Sequence, residues 1–243
     1  VAASLAPKVT EILGSLEGLA LQSDYLPEED TSTFTIAANL MEHMWLLKEI
    51  HRDLRKRNHR VSLGFVELGS RTTALQLLAP GMADAVITVA LGQHPLELLV
   101  ERLNQDEIVC YFDPAHRSAP TTPDEYCAAR HAVVDFGGTT KSVIDAALDN
   151  SGSSRKIFLR AANSTALAEL VLGTDHLITQ PKRLAKPTFK DFACATPPIQ
   201  LPIVSYDLVC HRRVQSSPRH AWYMEALRAA AHNIQQHLEI DVR

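Results

Sequence analysis

Polar and apolar residues alternate through residues 33–37 and again through 61–65, and a period of two is typical of a half-buried β-strand. Between these stretches, apolar residues recur every three or four positions, which predicts an amphipathic helix: they are Met41, Met44, Leu47, Ile50 and Leu54. A strand, a helix and a second strand in this order predict two parallel strands joined by a right-handed crossover.

The crevice beyond the carboxyl ends of parallel strands is where open α/β sheets usually bind ligands. Asn39 and Leu40 follow the first strand, so we expect them in this crevice, at the amino end of the helix. Free N–H groups and the helix dipole both stabilise an anion at that point. The pattern therefore predicts a site for an anionic group on a small ligand.

The alternation of strands and helices continues along the chain. Gly69 leads into a second helix with Ser70 as its predicted cap, and residues 84–90 contain an apolar run expected for a strand buried on both faces. Another strand is predicted within 106–112. The loop 113–123 contains three prolines, and this change in composition predicts a domain boundary.

A second α/β unit is predicted beyond this loop. Its strands are short apolar runs, at 132–134, 157–159 and 176–179. Loops at 135–140 and 163–165 place hydroxyl and amide side chains at the amino ends of two helices, where they would face the first crevice.

The end of the chain predicts a return to the first unit. Residues 203–210 alternate as expected for an edge or antiparallel strand, and a long helix follows Ser217. One strand and one helix are too few for a third domain. We therefore predict lobe I over 31–112 and 200–243, and lobe II over 113–199.

Residues 1–22 carry a separate pattern. Their apolar residues are spaced by four, three, four and three, which would allow this helix to pack against another and makes it a candidate for dimerisation. Pro7, Gly14 and Gly18 weaken a helix, each glycine by about 1 kcal/mol relative to Ala. A helix packed on its own domain is the alternative interpretation.

Composition excludes several classes of protein. The 243 residues are 46% hydrophobic and 21% charged, with a net charge of -4, so the chain can bury a large core and is not expected to bind nucleic acid through a basic surface. The basic run 55–60 is interpreted as the solvated carboxyl end of the first helix. Four cysteines without a C-x-x-C motif, and no membrane-spanning run, predict a reducing, cytoplasmic setting. The chain begins with Val, which suggests a fragment or a processed product.

Catalytic and cofactor chemistry find little support in the sequence. Cys110 near His116, and the pair Cys210 and His211, are the best candidates for a thiol or metal site. Adjacent strand residues point to opposite faces, so the second pair is not expected to share a metal, and the cysteines are interpreted as structural. The spacing G-x-G-x-x-G is missing. The prediction is a protein that is not an enzyme, with no cofactor and no metal site.

Several phrases of the sequence, in this order and spacing, carry a resemblance to a known family: 33–37 followed by the amphipathic helix, 81–87, 107–116, 144–156, 173–181 and 217–222. The chain resembles the effector-binding region of a LysR-type transcriptional regulator, nearest to the branch that senses aromatic acids and nodulation signals. The resemblance covers almost the whole chain. It implies an α/β fold of two Rossmann-like lobes of the periplasmic-binding-protein type with a cleft between them. Residues 1–22 would be the end of a linker helix, and the winged helix-turn-helix domain would lie outside this sequence.

The resemblance also implies which residues contact an inducer between the lobes. The implied contacts are Asn39, Leu40, Ser70, Thr72, Phe136, Gly138, Thr139, Lys141, Asn163, Ser164 and Thr165. Lys141 and Asn163 stand where aromatic-acid sensors of this branch often have histidines. Physically, Lys141 would pair with a carboxylate, and Ser164 and Thr165 would donate from a helix amino end. The alternative is that Lys141 is a solvated lysine and the two hydroxyl residues are only caps.

The predicted function is an effector-sensing regulatory domain that binds a small carboxylate or aromatic ligand and changes its lobe or dimer arrangement. The implied partners are the small-molecule effector, a second copy in a homodimer or tetramer, and RNA polymerase. DNA would be contacted only through the missing amino-terminal domain, and no membrane is involved. A solute-binding protein for transport shares the architecture and is the alternative. An enzyme on a two-lobed scaffold comes third.

Overall fold

The computed structural model of the protein describes residues 12–13, 25–58, 60–69, 73–90, 94–135 and 142–240, apart from the side chains of residues 40–42 and 234–240. The strands in this part of the chain are β1 Thr33–Ala38, β2 Ser62–Glu67, β3 Ala85–Val89, β4 Leu98–Asp106, β5 Ile108–Phe112, β6 Arg130–Val134, β7 Lys156–Ala161, β8 Leu177–Pro181, β9 Ala193–Ala195 and β10 Val204–His211. The α-helices are α1 Leu40–Arg57, α2 Ala74–Leu78, α3 Pro123–Ala128, α4 Val143–Asn150, α5 Ser164–Val171 and α6 Pro218–Ile240. The predicted linker helix at 1–22 falls outside the described residues except for Ile12 and Leu13, which are helical.

The strands form two five-stranded sheets, in the orders β2-β1-β3-β10-β4 and β7-β6-β8-β5-β9. The chain divides into two compact units, unit 1 with Val1–Asn104 and Tyr206–Arg243, and unit 2 with Gln105–Ser205. Each unit thus has its own sheet with helices. The predicted α/β fold class is confirmed.

The first crossover has the predicted form. β1 is parallel to β2 and to β3, with Ile36 opposite Phe65 and Ala85. Leu46, Leu47, Ile50 and Leu54 of α1 are buried against the sheet and α6: they belong to one core cluster with Phe34, Tyr223 and Leu227. Met44 was expected in the buried stripe and is half exposed, because the buried face of α1 is centred on Leu46 and Ile50 instead.

The return of the chain completes the sheet of unit 1. β10 pairs antiparallel with β3, so the antiparallel interpretation of this segment is confirmed. The edge interpretation is wrong, since β4, a strand that the sequence pattern did not predict, lies on the other side of β10.

The strand expected at 106–112 differs from the prediction in its partners. Its structured part, β5, has all five side chains buried and pairs with β8 and β9, so it is an interior strand of the sheet in unit 2. The chain leaves unit 1 after Asn104, so the observed boundary comes earlier in the chain than the predicted one at 112. The proline-rich loop marks a connection inside unit 2 rather than a boundary.

Unit 2 is built on the parallel pairs of β6 with β7 and with β8. Its core includes Tyr111, which stacks on Phe189 with ring centroids 4.3 Å apart, and Tyr126, which is fully buried on the unpredicted helix α3. Within the part of the chain that the structure describes, no helix is long and apolar enough to cross a membrane.

A polar cluster joins α6 to the amino end of β1 in unit 1. Asp84 accepts a hydrogen bond from the Thr35 N–H at 2.7 Å, and its carboxylate lies 3.1 Å from His220 Nε2 and 3.5 Å from Arg219. Arg219 also lies 3.4 Å from the carboxylate of Asp30. Burial raises the pKa of Asp84, but the bonds from His220 and Thr35 and the charge of Arg219 outweigh it, so this pKa lies below its ordinary value of 3.8.

We predict that Asp84→Asn lowers the free energy of unfolding at pH 7 by about 2–3 kcal/mol, because a charged acceptor shared by three groups is lost. A carboxyl whose folded pKa is depressed contributes stability above its unfolded pKa of about 3.9, and loses it as the pH falls toward the folded pKa. Denaturant unfolding at pH 7 and pH 3.5 should therefore show a smaller decline for Asp84→Asn than for the unmodified chain. Glu49→Gln is the control, since it breaks an exposed pair with Arg52 and should cost less than about 0.5 kcal/mol. Equal effects of the two changes would contradict this account.

Candidate functional site

The carboxyl ends of four strands meet at one edge of the sheet in unit 1. β1, β2 and β3 are parallel, and β10 runs against β3. β4 runs against β10, because the Arg212 N–H donates to the Glu97 carbonyl at 2.7 Å while Gln105 Nε2 donates to Ser205 Oγ at 3.2 Å. β4 therefore points the same way as β1, and its last residues share an edge with Asn39.

Asn39 connects β1 to α1 and is half-buried. Its carbonyl accepts two hydrogen bonds from His43, one from the backbone N–H at 3.0 Å and one from Nδ1 at 2.9 Å. His43 is buried, and its ring meets that of Tyr206 edge-on at 5.2 Å. Asn39 is thus held at the start of α1, as the sequence predicts. Leu40 is the first residue of α1, and its side chain lies outside the described part of the structure.

Sequence reasoning missed a charged pair at the same edge. Asp207 on β10 is buried and accepts a hydrogen bond of 2.7 Å from Nε of Arg102 on β4. His94 Nε2 lies 3.6 Å from the same carboxylate. Half of the Arg102 side chain is exposed, so its guanidinium reaches solvent while one of its nitrogens remains bound.

Asn104 lies two residues beyond Arg102, on the same face of β4. It is only 4% exposed, and neither atom of its side-chain amide has a hydrogen-bond partner among the described residues. Buried amides are normally satisfied, and an unsatisfied one costs about 1–3 kcal/mol. An orphaned amide of this kind is more often found where function outweighs stability.

In unit 2, the predicted residues 163–165 lie where β7 gives way to α5. Asn163 is the cap of α5, since its side-chain oxygen accepts the Ala166 N–H at 2.9 Å. Ser164 is buried inside the first turn and Thr165 is exposed. The alternative in which both hydroxyl residues act as caps is therefore wrong, because Asn163 fills that role.

A buried arginine lies at the start of α4. Arg155 Nε donates to Asp145 at 2.7 Å, and its side chain is 2% exposed. Ser142 caps the helix and donates to the same carboxylate at 2.6 Å. Burial raises the pKa of Asp145, but the hydrogen bonds from Arg155 and Ser142 lower it by more, so this pKa lies below its ordinary value. This ion pair orders the helix start that follows the predicted ligand loop 136–141.

The remaining predicted contacts fall outside the described residues. These are Ser70, Thr72, Phe136, Gly138, Thr139 and Lys141. The helix expected to begin after Ser70 begins at Ala74, with Thr73 as its cap in a reciprocal pair with Gln76. The predicted capping role of Ser70 is therefore wrong, because Thr73 is the residue whose hydroxyl reaches the helix N–H groups.

The two cysteines that the sequence singles out, Cys110 and Cys210, are both buried. Cys110 is fully buried, and burial raises the pKa of its thiol to about 12 despite a contact with the Thr179 hydroxyl. Burial also raises the pKa of Cys210. Both thiols stay protonated near neutral pH and are poor nucleophiles. In the part of the chain that the structure covers, no three His, Cys, Asp or Glu side chains are grouped to hold a metal ion.

Comparison with known proteins places this architecture in a family. The model of the family described as LysR substrate binding domain matches residues 27–232. The chain is 24% identical over 226 residues to the HTH-type transcriptional activator NagR of a Ralstonia species, covering 90% of this chain and 73% of NagR. It is 27% identical over 210 residues to nodulation protein D 3 of Rhizobium leguminosarum bv. phaseoli, covering 83% and 68%.

Among solved structures, the probable transcriptional regulator PA0477 of Pseudomonas aeruginosa superposes with a TM-score of 0.78 at 26% identity, covering 94% of this chain and 75% of that one. The resemblance inferred from the sequence is confirmed. The inducer contacts implied by that resemblance stay a prediction.

We predict that Asn104→Leu stabilises the chain by about 1 kcal/mol or more, because it removes an unsatisfied buried amide. Asn58→Leu is the matched control. Asn58 is equally buried, but its amide donates to the carbonyls of Pro27 and Asp30, and it accepts the Arg60 N–H at 2.8 Å. Its loss should cost about 2–3 kcal/mol, since these partners are left unpaired. Melting curves should therefore show a higher melting temperature for Asn104→Leu and a lower one for Asn58→Leu. A lower melting temperature for Asn104→Leu would show that the amide of Asn104 is satisfied in solution.

Proposed function

Because the chain belongs to the LysR substrate binding domain family, we propose that it is the effector-sensing domain of a LysR-type transcriptional regulator. Its proposed ligand is a small carboxylate or aromatic compound. The observation that carries this proposal is the family match over residues 27–232, which spans both α/β units.

The chemistry at the predicted sites supports an anionic ligand. Asn39 lies at the amino end of α1 and Asn163 at that of α5, where backbone N–H groups and the helix dipole attract negative charge. Arg102 adds a half-exposed guanidinium at the same sheet edge as Asn39. A carboxylate would gain charge-assisted hydrogen bonds from such groups.

The proposed mechanism is a shift between conformations of the regulator. A ligand changes such an equilibrium only by the difference between its affinities for the two states. In the whole protein, this bias would reach DNA through a helix-turn-helix domain outside the present sequence, as the name of NagR suggests. We propose a homodimer or tetramer that acts in the cytoplasm, where DNA is found, with RNA polymerase as a further partner. The domain is proposed to be a sensor rather than an enzyme.

We predict that benzoate, cinnamate or succinate raises the melting temperature of this chain, whereas benzyl alcohol, which lacks the carboxylate, does not. A ligand at 100 times its Kd stabilises the native state by about 2.7 kcal/mol. For a chain of this size, that corresponds to a shift of about 5–10 °C. Thermal melts in the presence of each compound measure the effect.

Three variants test whether Lys141 and Asn163 contact the ligand. Lys141→Ala and Asn163→Ala should abolish the shift caused by a carboxylate. Asn163→Ser keeps a capping oxygen, because Ser and Asn cap helices about equally well. If Asn163→Ser retains the ligand shift, Asn163 acts only as a cap, and its place in the site is lost. If no carboxylate changes the melt of the unmodified chain, the ligand class is wrong.

A further inference from the structure

A histidine lies inside unit 2 with one of its ring nitrogens unpaired. His131 belongs to β6, the strand between β7 and β8, and is fully buried. Its Nε2 lies 2.7 Å from the carbonyl oxygen of Tyr126, which can only accept a hydrogen bond, so Nε2 carries the ring proton. Its Nδ1 is buried and has no hydrogen-bond partner among the described residues. Nothing in this part of the structure receives a second proton on the ring.

The groups around His131 also oppose a positive charge on its ring. Burial is the largest cause of a His131 pKa of about 4, and the bond to the Tyr126 carbonyl opposes it. The charges of Arg155 and Arg117 lower this pKa as well, whereas the charge of Asp145 raises it. The side chain of Arg155 is only 2% exposed, and its Nη1 is buried without a partner among the described residues. A protonated His131 would therefore be a second buried cation near a buried arginine.

His131 packs against a chain of buried polar groups that joins four elements of unit 2. Its ring meets that of Tyr126, on α3, edge-on with centroids 4.7 Å apart. The Tyr126 hydroxyl lies 2.9 Å from that of Thr179 on β8, which in turn lies 3.9 Å from Cys110 Sγ on β5. Because a close-packed interior leaves no room for water to solvate a new charge, an ionised ring at this position disrupts the packing around it.

We propose that His131 is a pH switch: a proton on its ring opens the core of unit 2. The opening would also release the starts of α4 and α5, where contacts with the effector are predicted, so acid would turn the sensor off. This consequence for sensing rests on the proposed function, whereas the opening itself does not.

The pH window separates His131 from the acidic groups of unit 2. A histidine with an unfolded pKa of about 6.5 and a lower folded pKa loses stability as the pH falls below 6.5. Asp113 and Asp145 have lowered pKa values, so the stability that they contribute is lost only below their unfolded pKa of about 3.9. Burial raises the pKa of Asp106, so protonation of that carboxyl stabilises unit 2 instead. An opening between pH 6.5 and 4.5 is therefore the mark of His131.

The experiment follows the labelling of buried thiols by 4,4′-dithiodipyridine, with peptide mapping, in the full chain at pH 7.5 and pH 5. Cys110 lies in unit 2 and Cys210 in unit 1, and the exposed Cys194 corrects for the reactivity of the reagent at each pH. Labelling of Cys110 relative to Cys194 should rise about 30-fold from pH 7.5 to pH 5. His131→Gln keeps an amide that can donate to the Tyr126 carbonyl but takes no proton, so the rise should fall below about threefold. Labelling of Cys210 should be the same in both proteins.

The control is His51→Gln, which removes an exposed imidazole from α1 and should keep the full rise at Cys110. An unchanged rise in His131→Gln would overturn the proposal, and so would a Cys110 that stays protected at pH 5 in the unmodified chain. If His131→Gln does not fold, an NMR titration of the histidine ring protons in the unmodified chain decides. A His131 ring that stays neutral until unit 2 opens supports the switch, and one that titrates near pH 6.5 in the closed chain excludes it. A failed switch leaves the proposed function standing, because the melts with carboxylates test that function separately at pH 7.5.

Discussion

The stacking of Tyr223 on Phe34 is the contact on which unit 1 depends. The two rings lie nearly parallel with centroids 3.9 Å apart, and both side chains are fully buried. Phe34 comes from the first strand and Tyr223 from the last helix, so this contact joins segments that are almost 190 residues apart. Arg219 lies over both rings, 5.8 Å and 5.1 Å from their centroids. Its charge also lowers the pKa of Asp84, after the larger contributions of the hydrogen bonds from His220 and Thr35. The chain returns from unit 2 to make this contact, so unit 1 is discontinuous, and on its way back β10 pairs antiparallel with β3.

That return also determines which residues share the functional edge. With β10 reversed and β4 beside it, the carboxyl end of β4 lies at the same edge as those of β1 and β3. Asn39 follows β1 and Asn104 lies near the end of β4, so both lie at this end of the sheet, with β3 and β10 between their strands. Two buried amides of unit 1 differ in their hydrogen bonds. The amide of Asn104, at this end of the sheet, has no hydrogen-bond partner among the described residues, whereas that of Asn58, at the carboxyl end of α1, both donates and accepts. An unequal distribution of this kind is expected where an edge is maintained for binding rather than for stability.

Local pattern was enough to predict the elements whose burial alternates regularly. The first crossover and the buried strand β3 follow from periodicity, which acts over a few residues. β4 escaped because Leu98, Leu99 and Val100 are consecutive apolar residues followed by charged ones, and a strand at the edge of a sheet is buried unevenly. β5 was recognised as a strand but assigned to the wrong sheet, since its partners β8 and β9 are about 70 to 85 residues away and leave no local signal. Ser70 was a plausible cap by composition, yet the reciprocal bonds of Thr73 and Gln76 decide where that helix begins.

The proposed ligand site lies at the end of a firmly packed helix. Asn39, at the amino end of α1, belongs to the proposed ligand site. The inner side of α1 is fixed by Leu46, Ile50 and Leu54, which are all at most 1% exposed, so the helix behaves as one packed element. A displacement that ligand binding causes at its amino end would therefore be felt along its length. If the whole regulator binds DNA, coupling between ligand and DNA is reciprocal: whatever factor the ligand imposes on DNA affinity, DNA imposes the same factor on ligand affinity.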